Sequence, residues 1–255
     1  MDYIVILVLG LLLGSFFNVC IYRIPQGQSI AFPPSHCTSC GHSLAVKDLF
    51  PVVSYISLGG KCRYCKTRIS PQYPLVELLT AGIFLIVYSR LGLSWPFAMH
   101  CILSSILIIS AFIDQKHQII PDELVIAGTA FGAVFLAAGV SVPWWDGLLG
   151  ILAGGGIFWL IAVLSEALLK KEGMGGGDIK LMAMIGIFLG WKLTLLAILL
   201  SVYAGGFIGG MLLLLRIKKR GEHIAFGPFI AMGTFAAAIY GNQILYWYSG
   251  YFLGF

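Results

Sequence analysis

Residues 97–114, FAMHCILSSILIISAFID, form an apolar block about as long as a bilayer is thick, and the block ends on a carboxylate. At 1.5 Å per residue, a helix needs roughly 20 such residues to cross about 30 Å of hydrocarbon. The rest of the chain is similar, since 59% of its 255 residues are hydrophobic and only 11% are charged. The composition excludes an ordinary soluble domain and predicts an integral membrane protein.

The chain contains eight such blocks, which predicts an all-α polytopic fold with about eight transmembrane helices. They cover 3–22, 75–91, 97–114, 123–140, 147–169, 178–191, 193–215 and 227–248. The first block lacks the basic start and the small-residue cleavage site of a removable signal peptide, so we expect it to remain as a helix. The predicted division is a first helix at 1–22, a polar loop at 23–74 and a membrane core at 75–255.

The basic residues predict the orientation, because lysine and arginine beside a span are retained in the cytosol. With eight spans the loops fall into two sets. One set holds only Arg90 and Lys192, and the other holds the remaining 14 of the 16 basic residues, namely Arg23, Lys47, Lys61, Arg63, Lys66, Arg68, Lys116, Lys170, Lys171, Lys180, Arg216, Lys218, Lys219 and Arg220. Segment 23–74 is therefore predicted to be cytosolic, with both termini outside. No basic, aromatic-laced stripe exists, so no nucleic-acid partner is expected.

Four cysteines lie in the polar loop as two Cys-x-x-Cys pairs separated by 21 residues. They are Cys37, Cys40, Cys62 and Cys65. Four thiolates at this spacing suit a closed tetrahedral zinc site, which would stabilise a segment with few large apolar groups. Two disulfides are the alternative, but the predicted cytosolic location argues against them.

Carboxylates at the ends of the spans are the candidate functional groups, because ionisable residues are unfavourable in a bilayer. Asp114 ends the third span and Asp178 begins the sixth, so the parity of eight spans brings them to one face although 64 positions separate them. Asp178 also suits a helix N-cap, and Asp122 after Pro121 does so more strongly. Asp114 has no such role, because it would face the negative end of the helix dipole.

Glycines precede Asp178 in the stretch GMGGGD, residues 173–178. Without Cβ atoms, Gly173, Gly175, Gly176 and Gly177 would leave a notch in which a substrate backbone can approach the carboxylate. Two aspartates beside such a notch could share one proton and hydrolyse an amide by acid and base catalysis. The helix ends favour Asp178 as the initial base and Asp114 as the initial acid.

The chain resembles the bacterial type 4 prepilin peptidases, which are membrane aspartyl proteases with a Gly-x-Gly-Asp motif. The resemblance rests on GSFFNVCIYRIP (14–25), the cysteine pairs, YPLVELLTA (73–81), FIDQKHQIIPDEL (112–124), GGGDIKLMAMIG (175–186) and AFGPFIAMG (225–233). It implies that Asp114 and Asp178 are the two catalytic residues and that Asp122 is not one.

The resemblance also implies the reaction and its setting. Such enzymes, in the bacterial plasma membrane, cleave the leader from pilin-like precursors after glycine at the cytosolic membrane boundary. They then N-methylate the new N-terminus with S-adenosylmethionine. Methyl transfer is attributed to the N-terminal part, here roughly residues 14–77, where Asn18, Arg23 and Glu77 are the candidate contributors.

Three other functions remain open from the sequence alone. A proton-coupled transporter would place acids near the bilayer midplane and show an internal repeat, neither of which the sequence displays. A non-catalytic scaffold would use the cysteine loop to dock a partner and leave both aspartates without a role in turnover. A signal-peptide peptidase of the same motif class is a third alternative, although the cysteine loop favours the prepilin enzymes.

Overall fold

The computed structural model describes residues 1–169, 174–216 and 224–252, and apart from the loop between the first and third helices most of these residues are helical. The helices are α1 (Asp2–Arg23), α2 (Val53–Ser57), α3 (Gln72–Leu91), α4 (Trp95–His117), α5 (Asp122–Ala137), α6 (Trp144–Leu169), α7 (Gly176–Leu214) and α8 (Gly227–Phe252). The predictions for Lys170, Lys171, Gly173, Lys218, Lys219 and Arg220 fall outside the described residues.

The helices reproduce the eight predicted spans, because α7 contains two of them. The predicted all-α membrane fold is therefore confirmed, and the chain is a multi-pass membrane protein. By length and composition alone, five of the described helices could cross a bilayer. They are α1 with the turn after it, α3, α4, α6 and α7. Helix α5 has only 16 residues, about 24 Å of helix.

The chain divides into two compact units, Met1–Leu93 and Ser94–Phe255. In the first unit α1 packs on α3, and glycine permits close contact: a Cβ on Gly10 would lie 2.6 Å from the Cα of Ala81. A Cβ on Gly14 would lie at the same distance, 2.6 Å, from the Cα of Glu77. Gly10 and Gly14 follow the small-xxx-small pattern of membrane helix pairs. The sequence-based division assigned residues 75–91 to the membrane core, whereas in the structure they pack with α1.

In the second unit the chain reverses at Gly190, which divides α7 into α7a (residues 176–189) and α7b (residues 191–214). Gly190 has φ 71° and ψ 174°, a conformation that other residues rarely adopt. A Cβ on Gly154 of α6 would touch the Met182 carbonyl oxygen and lie 3.2 Å from Thr194 Cγ2. In a straight helix Met182 and Thr194 would be about 18 Å apart. Segments α7a and α7b are therefore antiparallel, as two spans require.

Asp146, at the start of α6, holds this reversal. Its Oδ1 atom accepts a 3.1 Å hydrogen bond from the backbone N–H of Trp191, the first residue of α7b. A Cβ on Gly190 would lie 2.6 Å from the Asp146 Oδ2 atom. Asp146 therefore caps α7b from a neighbouring helix, a role that the sequence does not reveal.

We expect Gly190→Ala to lower the stability of the purified protein by a few kcal/mol, because it adds a strained positive φ and a clash with Asp146. Asp146→Ala should remove only the cap, worth about 1 kcal/mol. Gly156→Ala in α6 is the matched control, since a Cβ there meets nothing within 4 Å. The measurement is the midpoint of thermal unfolding of each variant in the same detergent. Equal midpoints for Gly190→Ala and Gly156→Ala would contradict this account of the reversal.

Candidate active site and four-cysteine centre

Asp114 lies near the end of α4 and is 6% exposed. Its Oδ2 atom accepts a 2.7 Å hydrogen bond from the backbone N–H of Gly227, the first residue of α8. The N-terminus of a helix carries partial positive charge, so α8 presents its favourable end to this carboxylate. The sequence-based argument that Asp114 faces only a negative helix end is wrong, because the compensating contact comes from 113 positions further along the chain.

Asp178 is half-buried and occupies the third position of α7, which begins at Gly176 with Gly175 as its N-cap. The interpretation of Asp178 as the N-cap is therefore wrong by three residues. Its carboxylate instead turns back to the backbone N–H of Gly175. A carboxylate at this position that binds the N-cap N–H forms half of a capping box, which stabilises the start of the helix.

The structure places the two carboxylates near each other, Asp114 at the end of α4 and Asp178 at the start of α7a. Asp114 lies near enough for its charge to act on Asp178. Each carboxylate also accepts a backbone N–H from a glycine at the start of a helix. The helix ends therefore do not distinguish the acid from the base, and the predicted assignment of Asp178 as base and Asp114 as acid loses its basis. Two carboxylates that interact in this way favour a state in which the pair shares one proton.

The three glycines before Asp178 have different surroundings. A Cβ on Gly176 would meet nothing within 4 Å, and one on Gly175 would lie 3.4 Å from Asp178 Oδ2. At Gly177, by contrast, a Cβ would lie 2.9 Å from the Cβ of Ile120, which comes from the loop between α4 and α5. Gly175 and Gly176 leave the open space that a substrate notch requires. Gly177 admits Ile120, a packing contact that the sequence did not predict.

Asp122 pairs with Lys180, two residues after Asp178. The Lys180 Nζ atom lies 2.8 Å and 3.0 Å from the two carboxylate oxygens of Asp122, and both side chains are exposed. Helix α5 begins at Asp122 with Pro121 as its N-cap and no side-chain cap, so the cap prediction for Asp122 is wrong. This ion pair joins the start of α5 to the start of α7, and exposed pairs of this kind contribute little energy.

The four cysteines converge in the first unit, and their Sγ atoms all lie within 4.8 Å of one another. Cys37 Sγ lies 3.8 Å from Cys65 Sγ, which is the separation of two sulfurs on a tetrahedral zinc with bonds of about 2.3 Å. All four are free thiols rather than disulfides. The donor set and its spacing therefore fit a closed tetrahedral zinc site, and the alternative of two disulfides does not fit.

The two cysteine pairs form similar knuckles. Cys37 N–H donates to His42 O and Cys62 N–H donates to Thr67 O, each at 2.9 Å. The Thr67 hydroxyl, 3.3 Å from Cys65 Sγ, lowers the pKa of that thiol to about 6, which favours the thiolate that a metal needs.

Asp48 braces the second knuckle against the loop between the two cysteine pairs. Its carboxylate accepts hydrogen bonds from Arg63 at 2.6 Å, from Tyr64 and from the Ala45 N–H. The Arg63 guanidinium lowers the pKa of Asp48, so the brace is ionised at neutral pH.

Comparison with known proteins agrees with both parts of this geometry. Residues 8–91 match the bacterial peptidase A24 N-terminal domain, and residues 101–210 match the type IV leader peptidase family. The chain belongs to the type IV leader peptidase family. It is therefore an enzyme, a peptidase, and the resemblance noted from the sequence is confirmed.

The relatives cover almost the whole chain. The chain is 38% identical to the prepilin leader peptidase/N-methyltransferase of Bacillus subtilis, over 98% of this chain and 99% of the relative. It is 36% identical to the protein of the same name from Pseudomonas putida, over 93% of this chain and 90% of the relative. The Pseudomonas aeruginosa protein is 35% identical over the same shares. No solved structure matches significantly.

In this leader peptidase, the three residues proposed for a methyl donor are buried in the first unit. Arg23 donates to the backbone carbonyls of Ser29 and Pro33 at 3.0 Å and 2.7 Å. Glu77 accepts a 2.8 Å hydrogen bond from the N–H of Val52. Both side chains therefore hold the backbone of the cysteine loop, and their part in methyl transfer stays a prediction.

Asn18 differs from Arg23 and Glu77. It donates to Tyr73 O of α3, whereas its Oδ1 atom is buried and has no partner among the described residues. The part of Asn18 in methyl transfer also stays a prediction.

Gly227 is the site residue that sequence reasoning missed, although AFGPFIAMG marks a helix start with glycine before proline. A Cβ at this position would lie 2.8 Å from Asp114 Oδ2 and 3.1 Å from its Cγ, so the carboxylate would have to move.

We expect Gly227→Ala to lower the kcat of leader cleavage about 100-fold, the usual effect of displacing a catalytic group by an ångström. Gly206→Ala is the control, because a Cβ there meets nothing within 4 Å. The measurement is kcat for the purified variants in the same lipid. Equal rates for the two would show that the Gly227 contact does not hold Asp114 for catalysis.

Proposed function

We propose that the protein is a membrane aspartyl endopeptidase that removes the leader from type IV prepilin-like precursors. Cleavage follows a glycine at the cytosolic face of the membrane, and the new N-terminus is then N-methylated. The observation that carries this proposal is the meeting of Asp114 and Asp178, two carboxylates in a chain with few others. Membership of the leader peptidase family and the names of the relatives support the substrate class.

The chemistry of such a pair is acid and base catalysis. The ionised carboxylate takes a proton from a water molecule, whose oxygen attacks the carbonyl carbon of the scissile peptide. The protonated carboxylate donates its proton to the carbonyl oxygen, which gives a tetrahedral diol. The carboxyl that took the water's proton then donates it to the leaving amine, and the other carboxylate takes a hydroxyl proton of the diol as the C–N bond breaks. Asp114 is fixed through Oδ2 to Gly227, which leaves Oδ1 for the water or the substrate.

The position of the pair suits the precursor. A short basic leader followed by an apolar helix places the scissile bond at the cytosolic edge of the bilayer. Asp114 lies near the end of one span and Asp178 near the start of another, so both lie at the edge of the membrane. The distribution of the basic residues supports the cytosolic edge. Gly175 and Gly176 leave space for the substrate backbone beside Asp178.

Two further groups complete the proposal. Zinc bound by Cys37, Cys40, Cys62 and Cys65 stabilises the cytosolic loop and takes no part in cleavage, since a closed four-cysteine site leaves no position for water. S-adenosylmethionine supplies the methyl group, as the N-methyltransferase name of the relatives implies. Asn18, whose buried Oδ1 atom has no partner among the described residues, is one candidate for binding it.

The test uses the purified chain in lipid vesicles with a full-length pilin-like precursor, with and without S-adenosylmethionine. The N-terminal fragment mass of the product should show cleavage after the glycine, with a further methyl group only when the donor is present. Replacing the precursor's glycine should stop cleavage. An unprocessed precursor would refute the peptidase proposal. Cleavage without methylation would refute only the proposed methyl transfer.

A further inference from the structure

One stretch of the loop between α1 and α3 is apolar and exposed, namely FPVVSYI at residues 50–56. Phe50, Val53 and Ile56 are 57%, 66% and 70% exposed. Val53 and Ile56 are three residues apart in α2 and therefore lie on one face of it. Phe50 lies one turn earlier, since its carbonyl oxygen accepts the Ser54 N–H at 3.1 Å. Neighbouring apolar side chains on an exposed surface usually mark a site of interaction.

The other side of α2 faces the second cysteine knuckle. Tyr55 is only partly exposed, and its hydroxyl oxygen would lie 3.0 Å from a Cβ on Gly60. Gly60 stands two positions before Cys62, the buried cysteine of the four. Helix α2 therefore turns Tyr55 towards the four-cysteine centre and leaves Val53 and Ile56 facing outwards.

A hydrogen bond to α3 fixes the depth of this segment. The Val52 N–H donates to Glu77 Oε2 at 2.8 Å. Glu77 lies five residues after Gln72, where α3 begins, and so about 8 Å inside that span. Glu77 also packs on Gly14 of α1, which lies about 14 Å before the end of that helix at Arg23. On both helices the contact with Glu77 therefore lies within the span rather than at its edge.

The chain turns sharply where it meets Glu77. Val52 has φ 60° and ψ −47°, and the Val53 N–H donates to the Pro51 carbonyl oxygen at 2.5 Å, which is the pattern of a γ-turn. A positive φ is unfavourable for a β-branched residue, so the turn needs support from its surroundings. The hydrogen bond to Glu77 supplies that support and joins the turn to α3.

The surroundings of the segment match a lipid surface. Beside Glu77, α3 exposes Leu75 and Leu78, at 55% and 54%. Asp48 is the only acid between residues 24 and 71, and it is paired with Arg63. Clustered basic residues near a membrane are attracted to anionic headgroups. The exposed basic residues that flank the segment in sequence are Lys47, Lys61, Lys66 and Arg68.

We propose that residues 50–56 insert into the lipid leaflet on the side of the cysteine loop and anchor the four-cysteine centre to the membrane. Phe50, Val53 and Ile56 contact the acyl chains, and Glu77 sets the depth by holding the Val52 N–H. The loop is therefore not wholly in water, because its central part returns to the bilayer between the two cysteine pairs. The inference does not depend on the peptidase activity, and its test needs none.

The test labels the full-length chain in vesicles of phosphatidylethanolamine and phosphatidylglycerol with an apolar diazirine probe dissolved in the lipid. Trypsin then separates residues 48–61, which contain the segment, from residues 69–90 of α3 and residues 24–47 of the loop. The exposed apolar residues of 48–61 should carry label within about threefold of that on the exposed leucines of α3, because an inserted apolar face reaches the acyl chains. Label on 69–90 with none on 48–61 would overturn the inference.

Phe32 is the internal control, because it is 75% exposed and lies in the same loop. Hydrogen bonds from Arg23 to the carbonyl oxygens of Ser29 and Pro33 hold its surroundings at the end of α1. It should carry at most about one fifth of the label on Ile56, because the end of the span lies outside the hydrocarbon. Equal label on Phe32 and Ile56 would place the segment no deeper than the end of α1 and overturn the inference. Loss of the label on adding excess pilin-like precursor would assign the apolar face to the precursor's helix instead of lipid.

Two variants test the role of Glu77. Glu77→Ala should lower the label on residues 48–61 about fivefold and speed hydrogen exchange at the Val52 N–H, because the contact that sets the depth is lost. Glu77→Gln keeps an oxygen that accepts this N–H, so it should retain the wild-type label and exchange rate. The label on residues 69–90 establishes that α3 stays in the bilayer. Wild-type label and exchange in both variants would overturn the role of Glu77. If Glu77→Ala does not fold, the wild-type label on Ile56 against Phe32 decides.

Discussion

Replacing either Asp114 or Asp178 by asparagine is expected to lower the rate of leader cleavage by about 10³ to 10⁴-fold. Asparagine has the size of aspartate and can still accept the backbone N–H of Gly227 or Gly175, so the local structure should persist. It can neither take a proton from water nor donate one as an acid at neutral pH, so the proton shared by the pair is lost.

The measurement is the single-turnover rate with enzyme in excess over a full-length precursor, so that slow variants remain visible. Asp122→Asn is the matched control, because Asp122 is also an aspartate at the start of a helix but forms only an exposed ion pair with Lys180. It should change the rate by no more than about threefold. Thermal unfolding of all three variants establishes that the loss is not one of folding. A large loss of rate in Asp122→Asn, with none in the other two variants, would show that Asp114 and Asp178 are not the catalytic residues.

The second large effect is expected at the four cysteines. A structural zinc site contributes about 10 kcal/mol or more to the folding of small domains, so its loss should unfold the loop between α1 and α3. We expect one zinc per purified chain. Cys62→Ser, or treatment with a strong chelator, should make the loop sensitive to trypsin, which has several lysine and arginine sites there. Cys62 is the buried member of the four, at 4% exposed.

Cys101→Ala is the control for this prediction. Cys101 is also a buried free thiol, but it lies within α4 and outside the four-cysteine group. The Cys101→Ala variant should have the same zinc content and the same trypsin fragments as the wild type. A purified chain without metal whose loop still resists trypsin would show that these thiols hold no structural ion. If methyl transfer depends on this loop, Cys62→Ser should retain cleavage and lose methylation.

The sequence was informative where local patterns decide the structure. Apolar length located the eight spans to within a few residues, and their parity brought Asp114 and Asp178 to one face before any contact was known. The spacing of the cysteines predicted their convergence, because the tetrahedral preference of zinc allows few other arrangements. The break near residue 191 was also visible, although the turn itself lies at Gly190.

What the sequence did not reveal depends on pairs of residues far apart in the chain. Nothing near Asp114 indicates that Gly227 binds it, and nothing near Gly190 indicates that Asp146 caps the following helix. The acid and base assignment went wrong for the same reason, since only one of the two helix ends beside Asp114 is visible locally. Arg23 and Glu77 were candidates for methyl transfer by resemblance, and the sequence did not indicate that both bind loop backbone.

The central claim is that Asp114 and Asp178 act as one catalytic pair, and a double-mutant cycle tests it most directly. Single-turnover cleavage rates would be measured for the wild type, Asp114→Asn, Asp178→Asn and the double variant under one set of conditions. The account predicts the same loss in all three variants, because removing either carboxylate already disables the shared proton. A single variant that cleaves at the wild-type rate, or a double variant whose loss is the product of the two single losses, would contradict it.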